Sequence, residues 1–208
     1  FTDVIRGDIT FDTTELKDFV IARSESDPLY HFAVVVDDAA MQITHIIRGE
    51  DHISNTPRQI LIQEALNYAR PVYAHYPLHL ASDKSKLSKR KGDVAVKNYR
   101  EKGYLPEALL NYLALLGWTP PSQKEILSLE EMIGQFELPD LHKSGAVFDV
   151  EKLRWYNREY LSKMPADDVA AETVARLKKT LHALPWDEAT ARKIVPLIQE
   201  RISVWSDI

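Results

Sequence analysis

The spacing of apolar residues changes near Tyr104, and this change constrains the fold more than any other feature of the chain. Before Tyr104, short apolar segments alternate with polar loops, whereas after it apolar residues recur at helical spacing. The first pattern is typical of an α/β domain with a parallel sheet, and the second predicts an all-α region. A length of 208 residues permits one full domain and part of a neighbour.

Two short segments of the first half have the composition of strands. His31–Asp37 is rich in β-branched residues and predicts a strand buried on both faces, and Gln42–Arg48 predicts a second strand. A helix should then begin near Pro57, which suits a first helical turn, with Ser54 or Thr56 as its capping residue. Two or three strands are only part of a sheet, so we expect the carboxyl-terminal half of a doubly wound, Rossmann-type sheet.

Ligands of such sheets bind beyond the carboxyl ends of the strands. The polar segment Arg48–His52 follows the second predicted strand, and a basic loop follows a third apolar segment, Pro77–Ala81. These two places are where chemistry is expected.

The region after Tyr104 contains several signals for the start of a helix. Two amphipathic segments near its end predict a pair of antiparallel helices joined by a short turn. The signals are Pro106 at a first turn, Ser128 with Glu131 as a capping box, Asp149 as a cap, and the paired helices Asp167–Leu184 and Asp187–Trp205.

Positive charge is concentrated in one stretch of an acidic chain. The net charge is −5, yet Lys84–Lys102 contains eight basic and two acidic residues. Such a local positive field suits a phosphate-binding site better than a surface that binds nucleic acid non-specifically. A solvated basic loop is the alternative interpretation.

The pentapeptide Lys86–Arg90 carries the most specific chemistry within that stretch. Two lysines three residues apart, with Ser88 between them, place mobile point charges and a hydroxyl on a loop. A loop of this kind can close on ATP and stabilise charge on departing pyrophosphate.

Composition excludes several classes of protein. The absence of cysteine removes disulfide scaffolds, thiolate zinc sites and cysteine nucleophiles. No apolar run reaches the length of about 20 residues that spans a bilayer. The chain begins without Met, a basic leader or an apolar leader segment, so we expect a cytoplasmic protein without membrane partners and an internal piece of a longer chain.

The sequence K-L-S-K-R at Lys86–Arg90 resembles the second of two class-defining motifs of class I aminoacyl-tRNA synthetases, usually written K-M-S-K-S. Leu87 and Arg90 depart from the generic motif, but this form is common in the bacterial glutamyl branch. The similarity is dense from Phe1 to about Tyr160 and rests on four further segments: Tyr30–Asp38, Ile43–Gln59, Gly103–Trp118 and Val147–Tyr156.

This resemblance implies an ATP-dependent ligase of protein biosynthesis. Such an enzyme activates L-glutamate to glutamyl-adenylate and transfers it to the 3′ end of tRNA(Glu), with Mg²⁺ accompanying ATP as part of the substrate. We expect a monomeric longer protein and no structural metal in this segment. The implied domains are residues 1–99 of the catalytic domain, a stem-contact domain at 100–163, and the start of a helical anticodon-binding domain at 164–208.

The resemblance also implies roles for individual residues. Lys86 and Lys89 would be catalytic and would contact the ATP phosphates, while Arg48 would offer two parallel donors to the side-chain carboxylate of glutamate. The remaining ATP-binding residues would be Ser88, Arg90, Asp51, His52, Leu78 and His79, and the remaining glutamate-binding residues Tyr30, Gly49 and Glu50.

Each of these residues also has a structural interpretation. Arg48 could be a surface arginine paired with an acidic neighbour, Tyr30 could be a core aromatic residue, and Asp51 and His52 could stabilise the start of a helix.

Two other constellations are weaker candidates for chemistry. His75 and His79 are four residues apart, but Pro77 between them argues against helical metal ligation. Asp37 and Asp38 could form a carboxylate pair, yet adjacent strand residues point to opposite faces, which favours a turn.

The other class I motif, H-I-G-H, does not occur in the chain. We therefore expect a central fragment that lacks half of the active site and does not activate glutamate by itself. A non-catalytic tRNA-binding module, and a glutaminyl or glutamyl-transferring relative, are the alternatives. Whether the longer protein also charges a glutamine-type tRNA is left open by the sequence.

Overall fold

The computed structural model describes residues 1–87, 95–180 and 187–208, which belong to two compact units. The first unit comprises residues 1–78 and 137–146, and the second comprises residues 79–136 and 147–208. The three-domain division expected from the sequence stays a prediction.

The first unit is built on a small, mainly parallel sheet. Its strand order is β2-β1-β6-β5, in which β1 is antiparallel to β2 and β6 is parallel to both β1 and β5. A separate hairpin joins β3 and β4. The strands are β1 (Thr2–Asp3), β2 (Gly7–Asp8), β3 (Ala22–Ser24), β4 (Asp27–Pro28), β5 (His45–Gly49) and β6 (Val72–Tyr76).

A helical crossover connects the edge strand β5 to its parallel neighbour β6. Strand β5 leads into a short 3₁₀ helix, Glu50–Asn55, and then into α2, Thr56–Ala65, before the chain returns as β6. The register pairs Arg48 with His75, near the carboxyl ends of both strands. The expected parallel sheet with helices is therefore present, and the predicted strand and helix on either side of Arg48–His52 are confirmed.

The prediction of a strand at His31–Asp37 is wrong, because these residues lie in helix α1, Tyr30–Ala40. A short apolar run does not distinguish a strand from a buried helix, since every position is apolar in either case. Here α1 packs beside α2, and only Val35 of α1 is fully buried. Packing of one helical face against α2 outweighs the β-propensity of the valines. Asp37 and Asp38 are accordingly helical residues and do not form a turn.

The third apolar segment of the first half, Pro77–Ala81, is not itself a strand. Strand β6 ends at Tyr76, so Pro77–Ala81 follows the strand, and Leu80 makes only isolated bridges with Lys86 and Val147. Strand β6 was not predicted from the sequence, because its polar and apolar residues do not alternate regularly and its polar residue His75 is buried.

Six helices account for most of the second unit within its described residues. The capping box at Ser128 and Glu131 is confirmed by both of its hydrogen bonds, and Asp149 accepts from the backbone N–H of Glu151 at 2.9 Å. The helices are α3 (Val96–Glu101), α4 (Pro106–Gly117), α5 (Leu129–Gln135), α6 (Val150–Lys163), α7 (Ala166–Thr180) and α8 (Glu188–Ile198).

The last two helices pair as expected, but α8 is shorter than its predicted range. The chain leaves the helix after Ile198 and forms a short 3₁₀ turn at Trp205–Asp207. This path buries Ile202 and Trp205 in an apolar cluster with Leu161 and Val169.

Gly103 ends helix α3 in a left-handed conformation, with φ of +81°. Its N–H donates to the carbonyl of Arg100 at 3.0 Å, and the N–H of Tyr104 donates to the carbonyl of Tyr99 at 3.0 Å. The rings of Tyr99 and Tyr104 pack edge to face, with centroids 5.5 Å apart. These two hydrogen bonds and the apolar contact form a Schellman motif, which fixes the turn between α3 and α4.

None of the helices in the described ranges has the length and apolar character required to cross a membrane.

Candidate functional site

Arg48 lies near the carboxyl end of β5, where its guanidinium is held by neutral groups. Nε donates to Nε2 of His75 at 3.1 Å, and Nη2 donates to Oγ1 of Thr56 at 2.8 Å and to Oε1 of Gln59 at 2.7 Å. The guanidinium carbon also lies 5.6 Å from the centroid of the Tyr73 ring. These contacts hold two of the three guanidinium nitrogens in one orientation.

Among the described residues, no carboxylate forms an ion pair with Arg48. His75, Thr56 and Gln59 hold Nε and Nη2, and the side chain of Tyr30 also lies within hydrogen-bonding reach of the guanidinium. Burial lowers the pKa of Arg48, while Tyr30, Tyr73 and Asp38 act in the opposite direction. Arginine nevertheless stays protonated in proteins. The site therefore presents a positive charge, and Nη1 is the nitrogen that His75, Thr56 and Gln59 leave for an anionic ligand.

His75 lies beneath Arg48 and is completely buried. Its Nδ1 is 2.6 Å from Oδ2 of Asp3, and its Nε2 is the acceptor for Arg48. Because a carboxylate can only accept and the Arg48 Nε–H can only donate, His75 must carry its proton on Nδ1. Burial lowers the pKa of His75, and this effect outweighs the opposing interaction with Asp3. The ring is therefore neutral at neutral pH.

Asp3 is buried and charged, and it is fully hydrogen-bonded. Oδ1 accepts from the backbone N–H groups of Ile5 and Arg6, each at 3.0 Å, and Oδ2 also accepts from the backbone N–H of His75 at 3.0 Å. Burial raises the pKa of Asp3, but the hydrogen bonds together outweigh it and the net pKa is lowered. Asp3 thus anchors His75 from strand β1.

Glu50 begins the 3₁₀ helix after β5, and both of its carboxylate oxygens are engaged within the first unit. Oε2 pairs with Nη2 of Arg6, and Oε1 accepts from the backbone N–H of Leu78 at 3.1 Å. Arg6 also donates through Nε to the carbonyl of His75 at 3.1 Å. Glu50 and the Leu78 N–H were both expected to line a ligand pocket. In the structure they bind each other.

Tyr30 and His52 meet at the outer side of Arg48. Tyr30 is the first residue of α1, not the start of a strand, and its hydroxyl lies 3.5 Å from Nδ1 of His52. Burial lowers the pKa of His31, and Arg58, Arg48 and His52 lower it further. Nδ1 of His31 is buried without a hydrogen-bond partner in the described part of the chain. Arg48 and Arg58 therefore place a positive field at His31, and such a field favours an anion.

Gly49 is the last residue of β5, and Asp51 lies in the 3₁₀ helix that follows it. A Cβ atom added to Gly49 would meet Oδ1 of Asp51 at 2.5 Å, so glycine permits the close approach of the Asp51 carboxylate to the end of β5. Tyr30, Arg48, Gly49, Glu50, Asp51, His52 and Leu78, all predicted from the sequence, belong to the first unit.

The other predicted residues belong to the second unit or lie outside the described ranges. The carbonyl of His79 accepts from the N–H of Leu87 at 3.1 Å, and burial lowers the pKa of the His79 ring. Lys86 pairs with Leu80 in an isolated β-bridge. Ser88, Lys89 and Arg90 lie outside the described residues, so their predicted roles stay predictions.

Sequence reasoning missed the groups that hold Arg48. His75 was considered only as a metal ligand, and Asp3, Thr56 and Gln59 were not considered as site residues. The available signal was weak: Thr56 and Gln59 are three residues apart on the helix after Arg48, and His75 is in an unrecognised strand. Across the residues described, no group of three His, Asp or Glu side chains is arranged to hold a metal ion.

A cavity of about 660 Å³ in the first unit is lined by residues that include Ile43, Thr44 and Pro71. These residues precede β5 and β6, whereas Arg48 lies at the opposite, carboxyl end. Ligands of parallel sheets bind at the carboxyl ends, so the position of Arg48 indicates the functional site better than this cavity does.

Comparison with known proteins identifies many relatives of the same kind. Glutamate–tRNA ligase of Heliobacterium modesticaldum is 49% identical over 210 residues, which cover 99% of this chain and 42% of that protein. The corresponding ligase of Aquifex aeolicus is 54% identical over 181 residues, which cover 86% of this chain and 38% of that protein. The chain thus spans less than half the length of these relatives.

A solved structure has the same fold. The crystal structure of a glutamate tRNA ligase from Elizabethkingia meningosepticum, in complex with its amino acid, matches with a TM-score of 0.89 and 38% identity. The match covers 100% of this chain and 44% of that one. The family model for the catalytic domain of class I tRNA synthetases (E and Q) matches residues 1–155. Since this match extends over most of the sequence, the chain belongs to the class I tRNA synthetases of the E and Q group.

Proposed function

We propose that the longer protein containing this chain is a glutamate–tRNA ligase, and that Arg48 binds the side-chain carboxylate of glutamate. The observation that carries this proposal is a partly buried guanidinium whose bound partners are all neutral. A positive charge held in this way in a medium of reduced dielectric is best compensated by an anionic ligand.

The reaction has two steps. The α-carboxylate of glutamate attacks the α-phosphate of ATP, which forms glutamyl-adenylate and releases pyrophosphate. A ribose hydroxyl of the terminal adenosine of tRNA(Glu) then attacks the activated carbonyl, which forms the ester and releases AMP. Mg²⁺ accompanies ATP as part of the substrate. Lys86 and Lys89 would stabilise the charge that develops on the leaving pyrophosphate.

Discrimination against glutamine follows from the hydrogen bonds of Arg48. Because Nε and Nη2 already donate to the protein, a ligand is offered Nη1 together with the net charge, and not the full pair of parallel donors expected from the sequence. A carboxylate gains from both. The amide oxygen of glutamine can accept a hydrogen bond from Nη1, but the amide carries no opposite charge to pair with the guanidinium. Charge would therefore contribute most of the preference for glutamate.

The remaining site residues would complete the two substrate sites. Tyr30 and Gly49 would line the glutamate site, with Glu50 supporting it through its bonds to Arg6 and Leu78. The nucleotide site would comprise Asp51, His52, Leu78, His79, Ser88 and Arg90 with the two lysines.

We infer the wider architecture from the same assignment. The sheet of the first unit would be the carboxyl-terminal half of a doubly wound sheet. Residues 100–163 would contact the acceptor stem, and residues 164–208 would begin the anticodon-binding domain. Cytoplasmic location and a monomeric state complete the proposal.

Glutamate-dependent exchange of pyrophosphate into ATP tests the proposed function. The full-length protein should catalyse the exchange, whereas the 208-residue chain should not, because half of an active site does not preorganise the transition state. Full-length protein that binds tRNA without any exchange would support the non-catalytic alternative. Exchange with glutamine in place of glutamate would indicate a glutaminyl enzyme.

Replacing Lys89 by alanine in the full-length protein should lower the rate of glutamate activation by about 100-fold or more, which is typical for the loss of one charge-stabilising donor. The rate should fall because the ammonium group matters most as pyrophosphate departs. Stopped-flow or quench-flow measurement of adenylate formation reports this step. Unchanged turnover with only a raised KM for glutamate would contradict the role given to Lys89.

A further inference from the structure

The buried network beneath Arg48 extends from β5 across β6 to β1 of the first unit. We propose that Asp3 and His75 are positioning residues for glutamate recognition: they hold Arg48 in its binding orientation, and only the neutral form of His75 does so. This inference rests on the proposed role of Arg48 as the receptor for the glutamate side chain.

Three strands contribute to the network in a fixed register. Strand β6 pairs in parallel with β1, where Asp3 lies opposite Tyr73, and with β5, where Arg48 lies opposite His75. His75 bonds to Asp3 through Nδ1 at 2.6 Å and to Arg48 through Nε2 at 3.1 Å. Asp3 and His75 are both almost completely inaccessible to solvent. Neither residue reaches a ligand, so their effect on binding must pass through Arg48.

Helix α2 fixes the other side of the guanidinium. Oγ1 of Thr56 and Oε1 of Gln59 both accept from Nη2, and both side chains are buried. With Nη2 held by α2 and Nε held by His75, the guanidinium plane is set from two elements. Nη1 is then the group left to face a ligand, and an Arg48 free to rotate would lose that pre-organisation.

The tautomer of His75 is essential to this arrangement. A proton on Nε2 would point at the Nε–H of Arg48, so two donors would face each other and the hydrogen bond would be lost. The charged groups that face His75 are Asp3 from β1, Arg48 from β5 and Arg6 from the turn after β1. The neutral contacts are Thr56 at 3.1 Å and the rings of Phe1 and Tyr73.

Acidification should therefore weaken glutamate binding specifically. Burial depresses the pKa of His75, so the imidazole stays neutral at neutral pH and becomes protonated only below its usual range near 6.5. Protonation adds a second positive charge beside Arg48 and removes its acceptor. The KM for glutamate should rise as pH falls through this range, and the rise should be much smaller in His75→Gln, which has no group at this position that titrates there.

Two isosteric replacements of His75 separate positioning from simple stability. In the full-length protein, His75→Asn can retain a donor near the Nδ1 position, toward Asp3, but lacks an acceptor for Arg48. His75→Gln can place its oxygen near the Nε2 position and keep that acceptor. We expect His75→Asn to raise the KM for glutamate about 10- to 100-fold, as for loss of a buried hydrogen bond to a charged group, and His75→Gln to raise it much less. Both should leave the KM for ATP within about twofold, since neither changes a group proposed to bind ATP.

Gln63→Leu is the matched control for destabilisation. Gln63 is also buried in α2 and bonds to the hydroxyl of Tyr73 at 3.0 Å, but it makes no hydrogen bond to Arg48. This variant should lower the melting temperature without raising the KM for glutamate. Equal effects of His75→Asn and His75→Gln on that KM, or parallel rises in the KM values of both substrates, would overturn the proposal.

¹⁵N NMR of the histidine-labelled full-length protein gives a test that does not depend on activity. The His75 signals, assigned by their loss in His75→Gln, should show a proton on Nδ1 and none on Nε2 at neutral pH. A protonated Nε2 would overturn the proposal even if the enzyme is active. Absence of glutamate-dependent exchange in the wild type, with the expected tautomer present, would instead count against the proposed function.

Discussion

Replacing Arg48 by alanine should lower kcat/KM for glutamate about 1,000-fold in the full-length protein, which corresponds to about 4 kcal/mol. The variant removes the positive charge that receives the ligand carboxylate, and it leaves that carboxylate partly desolvated without a partner. Glutamate-dependent pyrophosphate exchange measured over a range of glutamate and ATP concentrations provides the ratio. The KM for ATP should change by less than about twofold, because Arg48 is assigned to the amino acid alone.

Arg23→Ala is the matched control for loss of one positive charge from the first unit. Arg23 is exposed and pairs with Asp27 at 3.3 Å, so its removal should leave both KM values unchanged. Arg48→Lys provides a variant that keeps the charge but loses the planar arrangement of donors to His75, Thr56 and Gln59. It should fall between wild type and Arg48→Ala. A rise of less than about threefold in the KM for glutamate in Arg48→Ala would show that the carboxylate binds elsewhere.

The sequence predicted those helix starts that depend on interactions between neighbouring residues. Ser128, Glu131 and Asp149 satisfy backbone N–H groups at the starts of two helices, so each can be recognised from a few neighbouring residues. The helix at Thr56 has no capping side chain, and Pro57 in its first turn is the local signal that predicts it. The valines of α1 could not, because their assignment depends on packing against α2, which is distant in sequence.

Only the outer residues of the candidate site were predicted from the sequence. The resemblance to class I synthetases singled out Tyr30, Arg48 and His52, which lie close together in the first unit. The hydrogen bonds that hold Arg48 were not predicted, because Asp3 and His75 are 72 residues apart and meet only through strand pairing. Long-range pairing of this kind has no signature in a local pattern.

Gly103→Ala should lower the free energy of unfolding of the second unit by about 3 kcal/mol. This is the second large effect that we expect. The left-handed conformation of Gly103, with φ of +81°, costs an alanine about 1 to 2 kcal/mol. An added Cβ would also collide with the side chain of Trp205 and approach its backbone N and Cα to 3.0 Å. Since the N–H of Trp205 donates to the carbonyl of Gly103 at 3.1 Å, the two segments could separate only by weakening this bond.

Urea unfolding followed by tryptophan fluorescence measures this loss, because all four tryptophans of the chain belong to the second unit. Two glycine controls separate the causes. Gly7→Ala has a similar φ of +83° and open space around the new methyl group, so it should show the backbone cost alone. Because Gly7 belongs to the first unit, its unfolding is followed by far-UV circular dichroism. Gly134→Ala, within α5 and also with open space, should raise stability by up to about 1 kcal/mol through helix propensity. If Gly103→Ala cost no more than Gly7→Ala, the contact with Trp205 would contribute nothing, and the loss would come from the left-handed backbone alone.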